Sequence, residues 1–227
     1  MKLQPTTLPN TFVSQGKFTH VYTKNLTPGK RFFENEQPMH SDGVEYRELD
    51  PKHSKLGAAL AKGCQQFGIK EGCTILYLGA SHGYTPSFVS DMVGPHGVIY
   101  CLDVAPRVVR DLVFVCKERE NMIPLLADAM DPKSYADRIT GVDVVFQDIA
   151  QRNQVEIFLS NCRLYLKHGG YGMLAVKARS IDVLKHPQDI FKDIKRGFEG
   201  NPEFVIVDYR ELFPYEKDHA FFVVKRK

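Results

Sequence analysis

Acidic and basic side chains recur at the same end of successive apolar runs. Asp103 follows Val98-Ile99-Tyr100-Cys101-Leu102, Asp128-Ala129 comes just after Met122–Leu126, and Asp148 follows Val142–Gln147. Lys177 follows Gly172–Val176, and His219, next to Asp218, opens the run His219–Lys225. A further run, Thr74–Leu78, ends in the turn Gly79-Ala80-Ser81-His82-Gly83-Tyr84-Thr85. Each suits a particular chemistry. Glycines in a turn let backbone come close to a ligand, and a helix that follows presents unpaired N–H groups. A carboxylate such as Asp103 at a strand end can accept from both hydroxyls of a ribose. A side chain at Asp128 can reach the amino group of an adenine. Taken singly, the glycine turn reads equally well as a plain tight turn, and Asp103 as a helix cap. Together, three carboxylates, a lysine and a histidine on one rim point to a ligand site. The turn is no phosphate-binding P-loop, because no lysine follows Gly83, and it lacks the G-x-G-x-x-G spacing of dinucleotide sites.

The elements that must hold this rim follow from periodicity. Ser54 can cap a helix in which Leu56, Ala59, Leu60, Cys64 and Phe67 share a face. The apolar runs read as strands, and helices are expected between them at Thr85–Val93, Arg107–Arg119, Val155–Leu166 and Gln188–Glu199, with a helical turn near Ser134–Arg138 and a strand at Phe204–Tyr209. Near-continuous hydrophobic strands alternating with helices predict an α/β fold with a mostly parallel sheet covered on both faces. Ligands of such sheets bind beyond the carboxyl ends of the strands. Residues 1–48 differ. Short β-type runs at Phe18–Tyr22, Arg31–Phe33 and Val44–Tyr46, separated by Pro28-Gly29 and Ser41-Asp42-Gly43, predict a small antiparallel sheet that must pack on the rest. The expected division is a β subdomain over 1–53 and the main domain over 54–227.

Composition bounds the possibilities. With 227 residues, 43% hydrophobic and 25% charged, the chain matches a globular protein of one ordinary domain plus a small appendage. Its apolar runs are too short to cross a bilayer and its start lacks a signal-like stretch, so an intracellular protein without membrane contact is expected. A net charge of +3 permits an RNA partner without demanding one. The five cysteines form no C-x-x-C pair and read as buried, reduced thiols, with no metal expected. The sequon Asn25-Leu26-Thr27 carries no meaning without secretion.

From about Thr23 onward the chain resembles the fibrillarin family. The matching segments include Thr23–Gly29, Glu45-Tyr46-Arg47, Ser54–Ala59, Leu76–Ala80, Val89-Ser90-Asp91, Val142–Gln151, Val176–Asp182 and Pro214–Ala220. Without a Gly/Arg-rich extension it resembles the compact archaeal members. It differs from the family pattern at His82, Tyr84, Asp103 and Val104, and at Leu49-Asp50-Pro51.

The resemblance implies a Rossmann-like class I methyltransferase whose last strand is antiparallel, using S-adenosyl-L-methionine to methylate the 2′-hydroxyl of rRNA ribose, and of tRNA as a further substrate. By similarity, Gly79, Ala80, Gly83, Tyr84 and Thr85 would border the methionine part of the cofactor. Asp103 and Val104 would border its ribose and adenine, Asp128 and Ala129 the adenine, and Asp148, Ile149, Ala150 and Gln151 the reacting end. Lys55, Asp148, Lys177 and His219 would form the catalytic group, with Lys177 acting on the hydroxyl and Asp148 orienting it. Arg107, Arg110, Arg152, Arg179 and Lys185 are the basic residues expected to meet RNA. The implied partners are a box C/D guide RNA with its target rRNA, a Nop-family scaffold protein and a kink-turn-binding protein. The implied setting is cytoplasmic for an archaeal member and nucleolar for a eukaryotic one. A protein (histone glutamine) methyltransferase and a non-catalytic subunit that keeps the fold are the alternatives.

Overall fold

The computed structural model describes residues 3–14, 20–34 and 36–227. Five short strands, β1 (Leu3–Pro5), β2 (Thr11–Ser14), β3 (His20–Lys24), β4 (Pro38–Ser41) and β5 (Val44–Glu48), form an antiparallel sheet in the order β1-β2-β3-β5-β4. β1, β2 and β4 were not legible from pattern, because strands of three or four residues show no alternation to read. Of the expected run Phe18–Tyr22, Phe18 and Thr19 lie outside the described residues. The expected strand Arg31–Phe33 is absent. That segment is irregular, and its aromatic rings turn inward instead: Phe33 meets Tyr84 edge-on at 5.2 Å between centroids, and the Arg119 guanidinium lies 5.3 Å from the Phe32 ring.

The rest of the chain supplies α1 (Lys55–Ala61), β6 (Thr74–Leu78), α2 (Tyr84–Val93), β7 (Val98–Asp103), α3 (Pro106–Glu118), β8 (Met122–Leu126), β9 (Val142–Gln147), α4 (Gln154–Tyr165), β10 (Leu166–Lys177), α5 (Ala178–Ile181), α6 (Pro187–Glu199), β11 (Phe204–Glu211) and β12 (His219–Arg226). The first helix is shorter than its periodicity suggested. Gly63, at φ +78°, takes the chain out of the helix, and Cys64 and Phe67 stay buried from a loop. The expected turn near Ser134–Arg138 is a 3-10 turn at Pro132–Tyr135.

The seven strands lie in the order β11-β12-β10-β9-β6-β7-β8. β8, β7, β6, β9 and β10 run parallel, and β12 runs antiparallel to both β10 and β11. The central strands β6 and β9 are apolar toward both faces over Ile75–Leu78 and Val144–Phe146 because a core packs on each side. From β6 the chain winds outward through β7 and β8, then returns across β6 to β9 on the other side. The strand order therefore reverses between β6 and β9, and a crevice forms at their carboxyl ends. Register makes that edge level: Leu78 pairs with both Leu102 and Gln147. Gly79, Asp103 and Asp148 thus leave the sheet at one height.

A buried ionic cluster joins the two sheets. Asp91 of α2 is fully enclosed and accepts from Thr23 Oγ1 at 2.7 Å, the Leu26 amide at 2.9 Å, Arg47 at 2.9 Å and Arg119 at 2.7 Å. Arg47 also pairs with Glu36. All five cysteines are free and buried.

Candidate active site

Gly79 closes the approach of β6 to β9. Its φ is +82°, and a Cβ there would lie 2.4 Å from the carbonyl oxygen of Asp148, so both conformation and space require glycine. Beside it opens a cavity of roughly 260 Å3 lined by Gly79, Ser81, Asp103, Asp128, Asp148 and Ile149, with Val104, Ala129, Ala150 and Gln151 completing its wall. Asp103 is fixed by its own turn, accepting from the Ser81 amide at 2.9 Å and the Ala105 amide at 3.0 Å. Each carboxylate oxygen keeps a second lone pair for a ligand. Asp128 is set in the same way by the Met130 amide at 2.9 Å.

At the β9 end of the crevice, Lys55 Nζ donates to Asp148 Oδ2 at 3.1 Å, with both side chains about three-quarters enclosed. Ser54 caps α1 through the Gly57 amide and so directs Lys55 toward that carboxylate. Lys177 and His219 are register partners across β10 and β12, which puts their side chains on one face of the sheet. Lys177 is exposed to solvent. His219 is largely buried, and its Nδ1 lies 2.7 Å from the Lys217 carbonyl oxygen. A carbonyl only accepts, so Nδ1 carries the proton and Nε2 offers its lone pair. Burial holds this imidazole below its ordinary value. Lys55 pushes the same way, and the Lys217 carbonyl, Glu216 and Asp148 oppose it. The ring is therefore neutral at neutral pH.

Two buried glutamines, absent from the sequence-based expectations, join this group. Gln154 accepts from the Lys177 amide at 3.1 Å and donates to the Lys177 carbonyl at 3.2 Å and the Gln151 carbonyl at 2.7 Å. Gln147 donates to the Gln154 carbonyl at 2.6 Å. The end of β10 and the loop after β9 are tied together, with Lys177 and Asp148 on either side. Gln147 alone carried a legible signal, a polar residue closing the apolar run Val144–Phe146, whereas Gln154 follows Gln151-Arg152-Asn153 and gave none.

Not every expected site residue stands at the cavity. Ala80 is buried with its amide on Leu102 O, and Gly83 is the N-cap of α2 against Leu112. Tyr84 packs in an aromatic cluster with Phe33 and Phe88, and Thr85 donates to Ser54 Oγ at 3.1 Å. Tyr84 and Thr85 brace the helix against the N-terminal segment and the cap of α1, Ala80 and Gly83 hold the turn to β7 and α3, and none of the four lines the cavity. His82 faces solvent beside Asp111. Of the basic residues, all exposed, Arg110 pairs with Asp111, Arg179 with Asp218 and Lys185 with Asp193, whereas Arg107 and Arg152 meet no carboxylate among the described residues.

The fibrillarin family model matches residues 3–227. The chain belongs to the fibrillarin family. It is 48% identical over 206 residues to the fibrillarin-like rRNA/tRNA 2′-O-methyltransferase of Pyrococcus furiosus, covering 91% of this chain and 89% of that one. Among solved structures it is similar to the Methanococcus jannaschii fibrillarin pre-rRNA processing protein (TM-score 0.93, 43% identity, 99% and 97% covered). It is likewise similar to Aeropyrum pernix fibrillarin in complex with natively bound S-adenosyl-L-methionine (0.87, 39%, 99% and 98%). A fibrillarin/Nop5p complex also matches this fibrillarin-family chain (0.82, 36%, 92% and 94%).

Proposed function

We propose that this fibrillarin-family chain transfers the methyl group of S-adenosyl-L-methionine to the 2′-hydroxyl of a ribose in rRNA, with tRNA as a further substrate. One observation carries the reading: the cavity lined by Asp103, Asp128 and Asp148 opens at the strand-end edge from which the paired Lys177 and His219 also emerge, with Lys55 hydrogen-bonded to Asp148. The cavity chemistry fits the cofactor. Asp103 would take the ribose hydroxyls, Asp128 and Ala129 the adenine, and the segment Asp148–Gln151 the sulfonium end. Bound there, the cofactor supplies an electrophilic methyl carbon.

The protein's part is alignment and charge. Holding the acceptor oxygen in line with the methyl group supplies much of the acceleration. As the new bond forms, the hydroxyl loses its proton and negative charge gathers on oxygen. Lys177 gives that oxygen a positive neighbour, and Asp148, balanced by Lys55, compensates the sulfonium and orients the group. The neutral His219, with Nε2 open, is a base already in its accepting form. Ribose methylation requires no reading of the base, so target choice comes from outside the chain. A box C/D guide RNA on a Nop-family scaffold with a kink-turn-binding protein fits that need, and the setting is the cell interior, where rRNA and cofactor meet.

The test is reconstitution of the chain with scaffold, guide RNA and cofactor carrying a labelled methyl group. The label is expected on one ribose 2′-oxygen of a guide-matched RNA. Label appearing on protein side chains, or no cofactor binding in calorimetry, would overturn the reading.

A further inference from the structure

α1 carries Lys55 at its first position and is only seven residues long. A helix this short takes its place from what packs against it and holds its ends. Its first end is tied to the turn after β6, through the Ser54 cap and Thr85. Its second end is tied to β11, the edge strand of the main sheet. Arg210 donates from Nε to the Lys62 carbonyl at 3.1 Å and from Nη2 to the Gly63 carbonyl at 2.8 Å, just past the last turn. A cation there also suits the negative end of the helix. Asp208 accepts from the Gln65 amide at 2.9 Å and pairs with Arg210 Nη1 at 2.6 Å, its side chain only 8% exposed. Burial works against that charge, but the Gln65 amide, the Cys64 thiol, the Tyr209 amide and Arg210 together hold the carboxyl below its ordinary value.

A fault in the strand pairing makes this clamp possible. Along β11, Phe204 and Ile206 pack on the core beneath α4 and α6. Strict alternation would send Asp208 and Arg210 to that same face. The register slips instead: Ile206 stands opposite Val224 and Asp208 opposite Val223, which leaves Val207 as an extra residue. A one-residue bulge reverses which side chains face which side of a sheet. Beyond it Tyr209 packs on the α4–α6 side, while Val207 joins the core that contains Leu56, Ala58 and Ala59 of α1. Asp208 and Arg210 are thereby turned onto the end of α1. From there the helix carries the restraint about 10 Å back to Lys55, whose Nζ donates to Asp148 at 3.1 Å. Sideways movement is closed off as well, because a Cβ on Gly57 would already stand 3.1 Å from Leu49.

We propose that Asp208 and Arg210 are positioning residues for methyl transfer: from the bulged strand β11 they fix the far end of α1 and so hold Lys55 on Asp148. The proposal rests on the RNA methyltransferase reading and on the place of Lys55 in its acid-base group, and it assigns a part in that reaction to residues remote from the cavity.

The experiment uses the particle reconstituted with scaffold, guide RNA and cofactor. Arg210→Met keeps the stem of a partly exposed side chain and removes its donors. It is expected to lower kcat about 10-fold, since a catalytic group displaced by a fraction of an ångström loses rate steeply. The cofactor dissociation constant and KM for target RNA should stay as they are. Arg210→Lys, which can still reach one carbonyl, should recover part of the rate. Crystals of the Arg210→Met chain should show Lys55 Nζ withdrawn from Asp148. Unchanged kcat with a lowered melting temperature overturns the proposal, because the clamp then serves stability alone. Equal losses of kcat and cofactor affinity overturn it too, since the strand then acts on the cavity wall. A Lys55→Ala particle working at the full rate removes Lys55, and the clamp with it, and leaves ribose methylation standing. A wild-type particle that methylates no ribose sinks the underlying reading itself.

Discussion

Lys177 and His219 differ in what they can do with a proton, although they face each other across one strand pair. The exposed Lys177 is placed to stabilise a developing alkoxide. Lys177→Ala should abolish methyl transfer to guide-matched RNA while calorimetry still finds cofactor binding. Retained turnover would remove Lys177 from the role. His219 is held below its ordinary value of 6.5 by burial. The unfolded chain therefore binds a proton that the folded chain refuses, between the folded value and 6.5. The stability this contributes is whole above that window and is lost as pH falls through it. Denaturant titrations at about pH 7.5 and about pH 5.5 should show a smaller acid loss for His219→Gln than for the wild type. Equal losses would contradict a buried, neutral imidazole. Gly79→Ala belongs at this scale too. Its positive φ and the Asp148 carbonyl together should cost about 1–3 kcal/mol in unfolding experiments and weaken cofactor binding, because the added carbon pushes the two strand ends apart.

At the level of elements, the loop after β9 and the end of β10 behave as one piece because Gln154 hydrogen-bonds to both. Gln154→Ala strands two backbone groups of Lys177 and should cost about 1–3 kcal/mol of stability. The displaced Lys177 should also lower kcat more than it raises the cofactor dissociation constant. A drop in affinity with normal kcat would show that the glutamine serves the cofactor wall instead. The strands of the main sheet were legible because each is an apolar run bounded by turn residues, and their ends in β7, β8 and β9 fall where the pattern put them. The small sheet was only half legible. Arg31–Phe33 has the composition of a strand, yet its aromatics gain more by packing on Tyr84 and Arg119 than by pairing in a ladder.

Across the whole molecule, the two sheets are fastened by charges out of reach of water. Asp91 belongs to α2, and three of its donors, Thr23, Leu26 and Arg47, come from the N-terminal segment. Removing one member of such a cluster leaves the others charged and desolvated. Asp91→Ala is therefore expected to cost about 3–5 kcal/mol. Far-UV circular dichroism should show a single lowered unfolding transition for both sheets. Two separate transitions in the wild type would mean that the N-terminal sheet folds independently.

The order along the chain of the strands in the main sheet, the placing of Asp103, Asp148 and Lys177 at strand ends, and membership of the fibrillarin family were present in the residue pattern, because hydrophobic periodicity and turn chemistry act locally. Which side chains enter the cavity was legible only in part: Asp103, Asp128 and Asp148 line it as expected, and others do not. Tyr84 and Thr85 follow the glycine turn but pack away from the cavity, and Gln154 gains its position only from contacts made across strands and loops. Those contacts depend on distances that exist only after the chain has closed on itself, so the tertiary fold alone decided them.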